Sequence, residues 1–198
     1  MSTPAAYYVA EEIEYMNREQ AVQILYEFTK TDTLRKHACS VEAAMKAYAK
    51  KYGEDEELWG CIGLIHDFDY ELYPDQHPMK GNEILAEKGV SLEIRNIILG
   101  HADFSGVPRE TLAAKVLYAV DELCGFIIAV TLVRPSRSLS EVTFSSVLKK
   151  MKDKRFAAKV NREEIINSAR ELGVELDQHV PFVAMALIPV ASELGLNP

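Results

Sequence analysis

Apolar residues recur at three- and four-residue spacings along almost the whole chain from Asn17 to Leu194, and no stretch alternates convincingly with a period of two. This confines the chain to amphipathic helices packed on one another, because each apolar stripe must be covered by a neighbour. Start and stop signals divide the pattern. Asn17 with Gln20 forms a capping box for a helix toward Lys30. Asp32 or Thr33 opens the next, in which Leu34, Ala38, Val41, Met45, Tyr48 and Tyr52 share a face and Gly53 supplies the stop. A third helix is expected over about Asp55–His66, a short one from near Pro78 to Gly89, and one capped by Ser91 through His101. A long apolar helix is expected from near Pro108 to Val133, ended by Arg134-Pro135, with three more near Ser140–Met151, Asn161–Leu172 and Asp177–Leu194. Asn161 with Glu164 reads as a second capping box, and Pro189 as a kink or break in the last helix. The expected fold class is all-α. The 198 residues suffice for one domain with a full-sized core. A single domain over 1–198 is therefore expected, with a core over about 32–133 and a C-terminal helical annex over about 136–198.

The formal net charge of −8 argues against broad nucleic-acid binding. The charge is uneven. Between Arg134 and Arg162 there are nine Lys or Arg residues and two acids, Glu141 and Asp153. Such a run is most often a solvated face. Cys39, Cys61 and Cys124 are odd in number, lie in apolar helical patterns and match no zinc spacing, which reads as buried, reduced thiols. Glu11, Glu12 and Glu14 argue against a signal peptide, and the apolar run Ile127–Val133 is too short to span a membrane. A cytoplasmic protein with no membrane partner is expected. Self-association is left open.

The chemistry-bearing residues are concentrated. Four of the five histidines fall between Asp32 and Asp121. Asp121 lies inside the apolar run Leu117–Ile128, where a carboxylate needs a cation or good hydrogen bonds. Its partner is a Lys or Arg on one reading and a metal on the other. His37, on an apolar helix face, is by itself either a satisfied core residue or a ligand. His66 and Asp67 adjoin at the end of an apolar helix, and imidazole with carboxylate suits Mn, Fe, Ni, Zn or Mg. His179, followed by Val180-Pro181, reads as a cap or surface residue.

The ordered set His37, His66-Asp67, Asp121 over an all-helical stretch, about Leu34–Ile128, resembles the HD superfamily of metal-dependent phosphohydrolases. The resemblance implies that His37, His66, Asp67 and Asp121 ligate one metal. In branches that hold two metals, HDIG-like ones among them, a further histidine opens an H-x-x-x-G motif, which His77 and Gly81 match. This implies a second metal on His77 and His101, with Asp67 bridging. The cofactor is then one or two divalent ions, Mn, Fe, Ni, Co, Zn or Mg. The chain also departs from the family's pattern. Where several branches read HD-I-G-K it has HDFDY, placing Asp69-Tyr70 at the Gly-Lys pair, and Ala102 follows His101 where some branches have another His. These departures weaken a cyclic-dinucleotide assignment.

The resemblance implies hydrolysis of a phosphomonoester or phosphodiester, a nucleotide or related small metabolite, by metal-activated water. Asp67, Asp69 and Glu71 are the catalytic candidates, the latter two as general acid, water orienter or support for a ligand histidine. Lys80, Arg134 and Arg137 are chosen as phosphate contacts. Two other readings use the same residues: a di-iron oxygenase on this fold, and a non-catalytic metal- or nucleotide-binding regulatory module.

Overall fold

The computed structural model describes residues 16–198, so the acidic stretch Glu11–Glu14 lies outside the described residues. Ten helices follow in order: α1 (Arg18–Phe28), α2 (Asp32–Tyr52), α3 (Glu56–Ile65), α4 (Met79–Glu87), α5 (Leu92–Leu99), α6 (Leu112–Leu132), α7 (Phe144–Met151), α8 (Arg162–Leu172), α9 (Leu176–Leu187) and α10 (Ala191–Leu194). Short 3-10 turns occupy Asp103–Ser105, Leu139–Glu141 and Ile188–Val190. Among the described residues there is no strand, only an isolated bridge between Ser138 and Asn197. The protein is an all-α bundle.

The caps act as their chemistry dictates. Asn17 accepts from the Gln20 N–H while the Gln20 side chain accepts from the Asn17 N–H, each at 3.0 Å. Gly53 takes the left-handed conformation that closes α2, at φ 77°. Pro189 ends α9 in a 3-10 turn, as its missing N–H requires. Three expectations are corrected. The long helix begins at Leu112, not near Pro108, because Thr111 supplies the N-cap bond to Ala114 and Arg109 is tied into the preceding loop. The helix expected from Ser140 begins at Phe144, where Thr143 and Ser146 form the capping box. Glu164 is not half of a capping box: its carboxylate accepts from the Asn161 side-chain amide at 3.3 Å, while Asn161 Oδ1 caps the Glu164 N–H.

α3 is buried nearly all round from Trp59 to Ile65 and forms the centre of the bundle. It packs most closely on α2, where a Cβ on Gly63 would lie 3.0 Å from the Val41 carbonyl group and 2.9 Å from the Met45 side chain. That close approach brings the end of α3 against the second turn of α2, where His37 stands. α6 crosses α2 on another side, with Leu117, Leu123, Phe126 and Ile127 fully buried. The apolar cluster continues without a break into Val147, Ile165, Val183 and Leu187 of α7, α8 and α9. The later helices thus share the core of the earlier ones. No single helix among the described residues is long and apolar enough to cross a membrane.

His179 is a correction. It lies buried where α9 meets α2 and α6, accepting a bond from the Tyr48 hydroxyl on Nδ1 (2.5 Å) and donating from Nε2 to the Ala119 carbonyl (2.9 Å). Burial lowers its pKa to about 4. Its place in the core comes from the docking of α9, which the neighbouring Val180-Pro181 does not reveal. Cys61 and Cys124 are buried free thiols, whereas Cys39 is only half-buried, with its Sγ turned to Glu193 near the surface.

Candidate metal centre

The helix ends converge on Asp67. His37 comes from α2, His66 and Asp67 from the end of α3, His77 from the turn before α4, His101 from just beyond α5, and Asp121 from the middle of α6. One Asp67 oxygen, Oδ1, lies 3.2 Å from Nε2 of both His77 and His101. The other, Oδ2, lies 3.5 Å from His66 Nε2 and 4.0 Å from His37 Nε2. Asp121 Oδ1 completes the second group, 2.9 Å from His37 Nε2 and 3.3 Å from His66 Nε2. Two sets of donor atoms result, each within 4.8 Å of one another: His37, His66, Asp67 and Asp121; and Asp67, His77 and His101.

Three of these imidazoles are held in the same sense. His66 Nδ1 donates to the Gly63 carbonyl (2.7 Å), His101 Nδ1 to the Ile98 carbonyl, and His77 Nδ1 to Asp69 Oδ1 (2.7 Å). With Nδ1 protonated, each ring turns an Nε2 lone pair inward. His66 Nε2 is fully buried and makes no hydrogen bond, and Nε2 of His77 and His101 face each other at 3.2 Å. Lone pairs and carboxylate oxygens crowded out of water in this way are a donor set that a divalent cation fits.

The electrostatics agree. Burial alone would raise Asp67, yet the imidazoles of His66, His101 and His77 hold it well below the usual carboxylate range. Asp121 is likewise held down against burial by His66 and His37. Burial opposes protonation of His77, but Asp67 and Asp69 raise it to about 9. His66 and His101 are raised by the same carboxylates against their own burial. The two carboxylates thus draw positive charge to the Nε2 positions, where protons and a divalent cation compete for the same lone pairs.

The family model of the HD domain matches residues 34–125, the segment that contains all six of these side chains. Residues 34–125 are an HD domain. The match is to the HD domain as a whole and selects no HDIG-like branch. Searches of curated proteins and of solved structures gave no significant match.

The other residues chosen from the sequence take different places around the HD domain. Asp69 is buried and points away from the open side: besides its bond to His77, its Oδ2 accepts from the Gly81 N–H at 2.7 Å. A Cβ on Gly81 would stand 2.8 Å from that carboxyl, which gives the H-x-x-x-G glycine a local reason in this chain. Asp69 thus holds the His77 ring and is not among the residues lining the cavity over Asp67. Glu71 accepts from the backbone N–H groups of Lys30 and Thr31, at 2.8 and 2.9 Å, which holds its carboxyl below the usual range and ties the α1–α2 turn to the loop after α3. Lys80 pairs with Glu83 at 2.8 Å on the surface. Eleven residues of helix, about 16 Å, separate Asp121 from the end of α6, so Arg134 and Arg137 stand beyond the far end. Arg134 turns to Glu141 there.

A cavity of about 400 Å³ opens over Asp67, His77, His101 and Asp121. Its walls are Tyr70, Phe104, Glu122, Asn161 and Glu164, with Ala102 and Asp103 at the edge and no Lys or Arg among the described residues. Phe104 is 74 % exposed. Arg109 shapes this wall: it donates to the Gly100 carbonyl, Asp103 and Glu171 and lies over the Tyr118 ring, holding the loop after His101 against α8. Burial and Asp121 raise Glu122 to about 7. Burial, Glu122, Asp121 and Asp103 do the same for Glu164. Sequence reasoning missed both acids. The only signal was the second acid of Asp121-Glu122 in an apolar helix.

Proposed function

We propose that the protein is a metal-dependent phosphohydrolase that cleaves a small phosphomonoester or phosphodiester, with a nucleotide or related metabolite as the expected substrate. One observation carries this reading: Asp67 turns its two oxygens to two groups of histidines whose Nε2 lone pairs are held inward. His37, His66, Asp67 and Asp121 would hold one divalent ion, and His77 and His101 a second, with Asp67 shared. An ion so held lowers the pKa of water toward neutrality and polarises a phosphoryl oxygen.

The chain's own groups do the rest. The bonds of His66, His77 and His101 to Gly63, Asp69 and Ile98 fix the imidazole orientations before substrate arrives. Tyr70 and Phe104 give the cavity apolar walls. Glu122 and Glu164 face the same space, where their carboxylates are placed to accept hydrogen bonds from a substrate. The core shared between the HD domain and α7–α9 supports a single domain. The free thiols support a reducing, cytoplasmic setting.

The test is metal content with hydrolysis of an aryl phosphate, an aryl phosphodiester and a nucleotide panel, for the wild type and Asp67→Ala, with Mn, Mg, Ni, Co and Fe supplied in turn. The wild type is expected to hold one or two ions and cleave at least one phosphoester, and Asp67→Ala to lose both properties. Wild-type protein that takes up no metal overturns the reading. Dioxygen uptake by the iron-loaded protein with no phosphoester cleaved transfers the centre to the oxygenase reading.

A further inference from the structure

The metal cavity has no lysine or arginine in its wall, yet Asn161 belongs to two cavities. The second, about 440 Å³, lies between the end of α7 and the start of α8. Its walls include Lys152, Lys154 and Arg162, with Met151, Ala158 and Val160 as the apolar part and Glu163 as the one acid. Lys152 and Lys154 are exposed, and neither ammonium has a carboxylate within ion-pair distance among the described residues. Arg162 is different. Its guanidinium donates to the carbonyls of Ala157, Val160 and Phe156 and so holds the loop 153–160 in shape. One unpaired ammonium at the C-cap of α7 and another on the braced loop, beside the positive end of an eleven-residue helix, form an anion-accepting surface. At Asn161, the residue common to the two cavities, the Glu164 carboxylate accepts from the side-chain amide and Glu122 lies against the same residue, so this stretch of wall is rich in hydrogen-bond acceptors.

We propose that the substrate is anionic at both ends: its scissile phosphoryl group lies at the metal centre, hydroxyl or amine donors in its middle meet Glu122 and Glu164, and a second phosphate lies against Lys152 and Lys154. The proposal rests on the phosphohydrolase reading and narrows it from any small phosphoester to bisphosphorylated compounds. It also assigns the basic run a role that the solvated-face reading does not.

The probes are a nucleoside 3′,5′-bisphosphate and the matching 5′-monophosphate, with an aryl phosphate as a compact control. Binding is measured by calorimetry and turnover as kcat/KM, on the metal-loaded full chain. The double variant Lys152→Gln/Lys154→Gln is compared with Lys50→Gln/Lys149→Gln, which removes the same charge from exposed lysines outside the cavity. The wild type is expected to prefer the bisphosphate by tenfold or more. The first double variant should lose that preference and leave the monophosphate and aryl phosphate within twofold, and the control should change neither. Equal handling of the two nucleotides by the wild type overturns the proposal and leaves the phosphohydrolase reading intact. So does a loss that is the same for all three compounds or is shared by the control. Metal-loaded protein that neither binds nor cleaves any of the three removes both.

Discussion

The protein buries histidines in two places for opposite ends. At the junction of α2, α6 and α9, His179 has both nitrogens satisfied, by the Tyr48 hydroxyl and the Ala119 carbonyl. Around Asp67, the Nδ1 atoms of His66, His77 and His101 are equally well satisfied, but their Nε2 atoms face one another and two carboxylates. Burial alone therefore does not separate a structural histidine from a ligand. The second nitrogen does. Where it meets a carbonyl or hydroxyl, the ring ties helices together. Where it is turned toward other lone pairs and carboxylates, the protein bears a desolvation cost that a bound cation would offset.

The sharpest break between the two regions is a pair of substitutions. Asp67→Ala should lower affinity for both ions by at least about 1,000-fold, beyond the roughly 10–100-fold that loss of an outer partner costs. Wild type at about 100 times the dissociation constant should gain about 2.7 kcal/mol from metal, a rise of roughly 5–10 °C in Tm, and Asp67→Ala should gain nothing. His179→Ala should do the reverse. It leaves Tyr48 and Ala119 without their partner and opens a hole, which should cost about 3 kcal/mol in urea melts. Metal affinity should stay within twofold. If His179→Ala also loses metal, the two regions are one mechanical unit and the distinction fails.

Acid should sharpen the same contrast. Unfolded, His179 takes up a proton near 6.5; folded, only near 4, because burial penalises the cation. Between those values the unfolded chain binds more protons, so stability falls as pH falls. This contribution is intact above 6.5 and is lost toward 4. At 1.36 kcal/mol per unit it amounts to up to about 3 kcal/mol. The difference between the pH 7 and pH 4.5 stabilities of wild type should shrink by most of that amount in His179→Gln, which cannot titrate. An unchanged difference would mean that His179 is not held neutral by its surroundings.

What could be read in the sequence divides along the same line. The helices were legible because stripes and caps are local: Asn17, Gly53 and Ser91 each act within one turn of themselves. The six ligand candidates were legible because they stand in the order and spacing of the HD pattern that the chain resembles. Where a side chain lies relative to distant helices was not legible. His179 resembled a cap, since its burial is decided by the docking of α9 on α2 and α6. Glu164 passed for a capping partner, since its position suits either role and only the approach of α8 to α6 brings it to the cavity. Arg134 and Arg137 were chosen for the phosphate-binding chemistry of guanidinium, but the eleven residues of α6 beyond Asp121 carry them away.

Two smaller effects test how the centre is held. Asp69→Asn keeps the shape but replaces the carboxylate that accepts from His77 Nδ1 and Gly81. It should weaken the ion on His77 and His101 by about 10–100-fold while sparing the ion on His37, His66 and Asp121. Metal titration followed by calorimetry should then show one tight and one weak site. Equal weakening of both would mean that Asp69 supports the whole centre through the fold. Gly81→Ala should act in the same direction, because the new methyl meets the Asp69 carboxyl at 2.8 Å.

The least effect is expected at the far end of α6. Arg134→Gln/Arg137→Gln removes the two arginines that the sequence offered as phosphate contacts. Arg137 is exposed, and Arg134 has only a long pairing with Glu141, at 3.6 Å. Surface pairs of this kind contribute about 0–1 kcal/mol. Stability should therefore change by no more than about 0.5 kcal/mol, and kcat/KM on any phosphoester by less than twofold. A tenfold loss of kcat/KM with unchanged metal content would place substrate along α6. The anion would then bind away from Lys152 and Lys154, and the division of labour between the metal cavity and its basic neighbour would have to be redrawn.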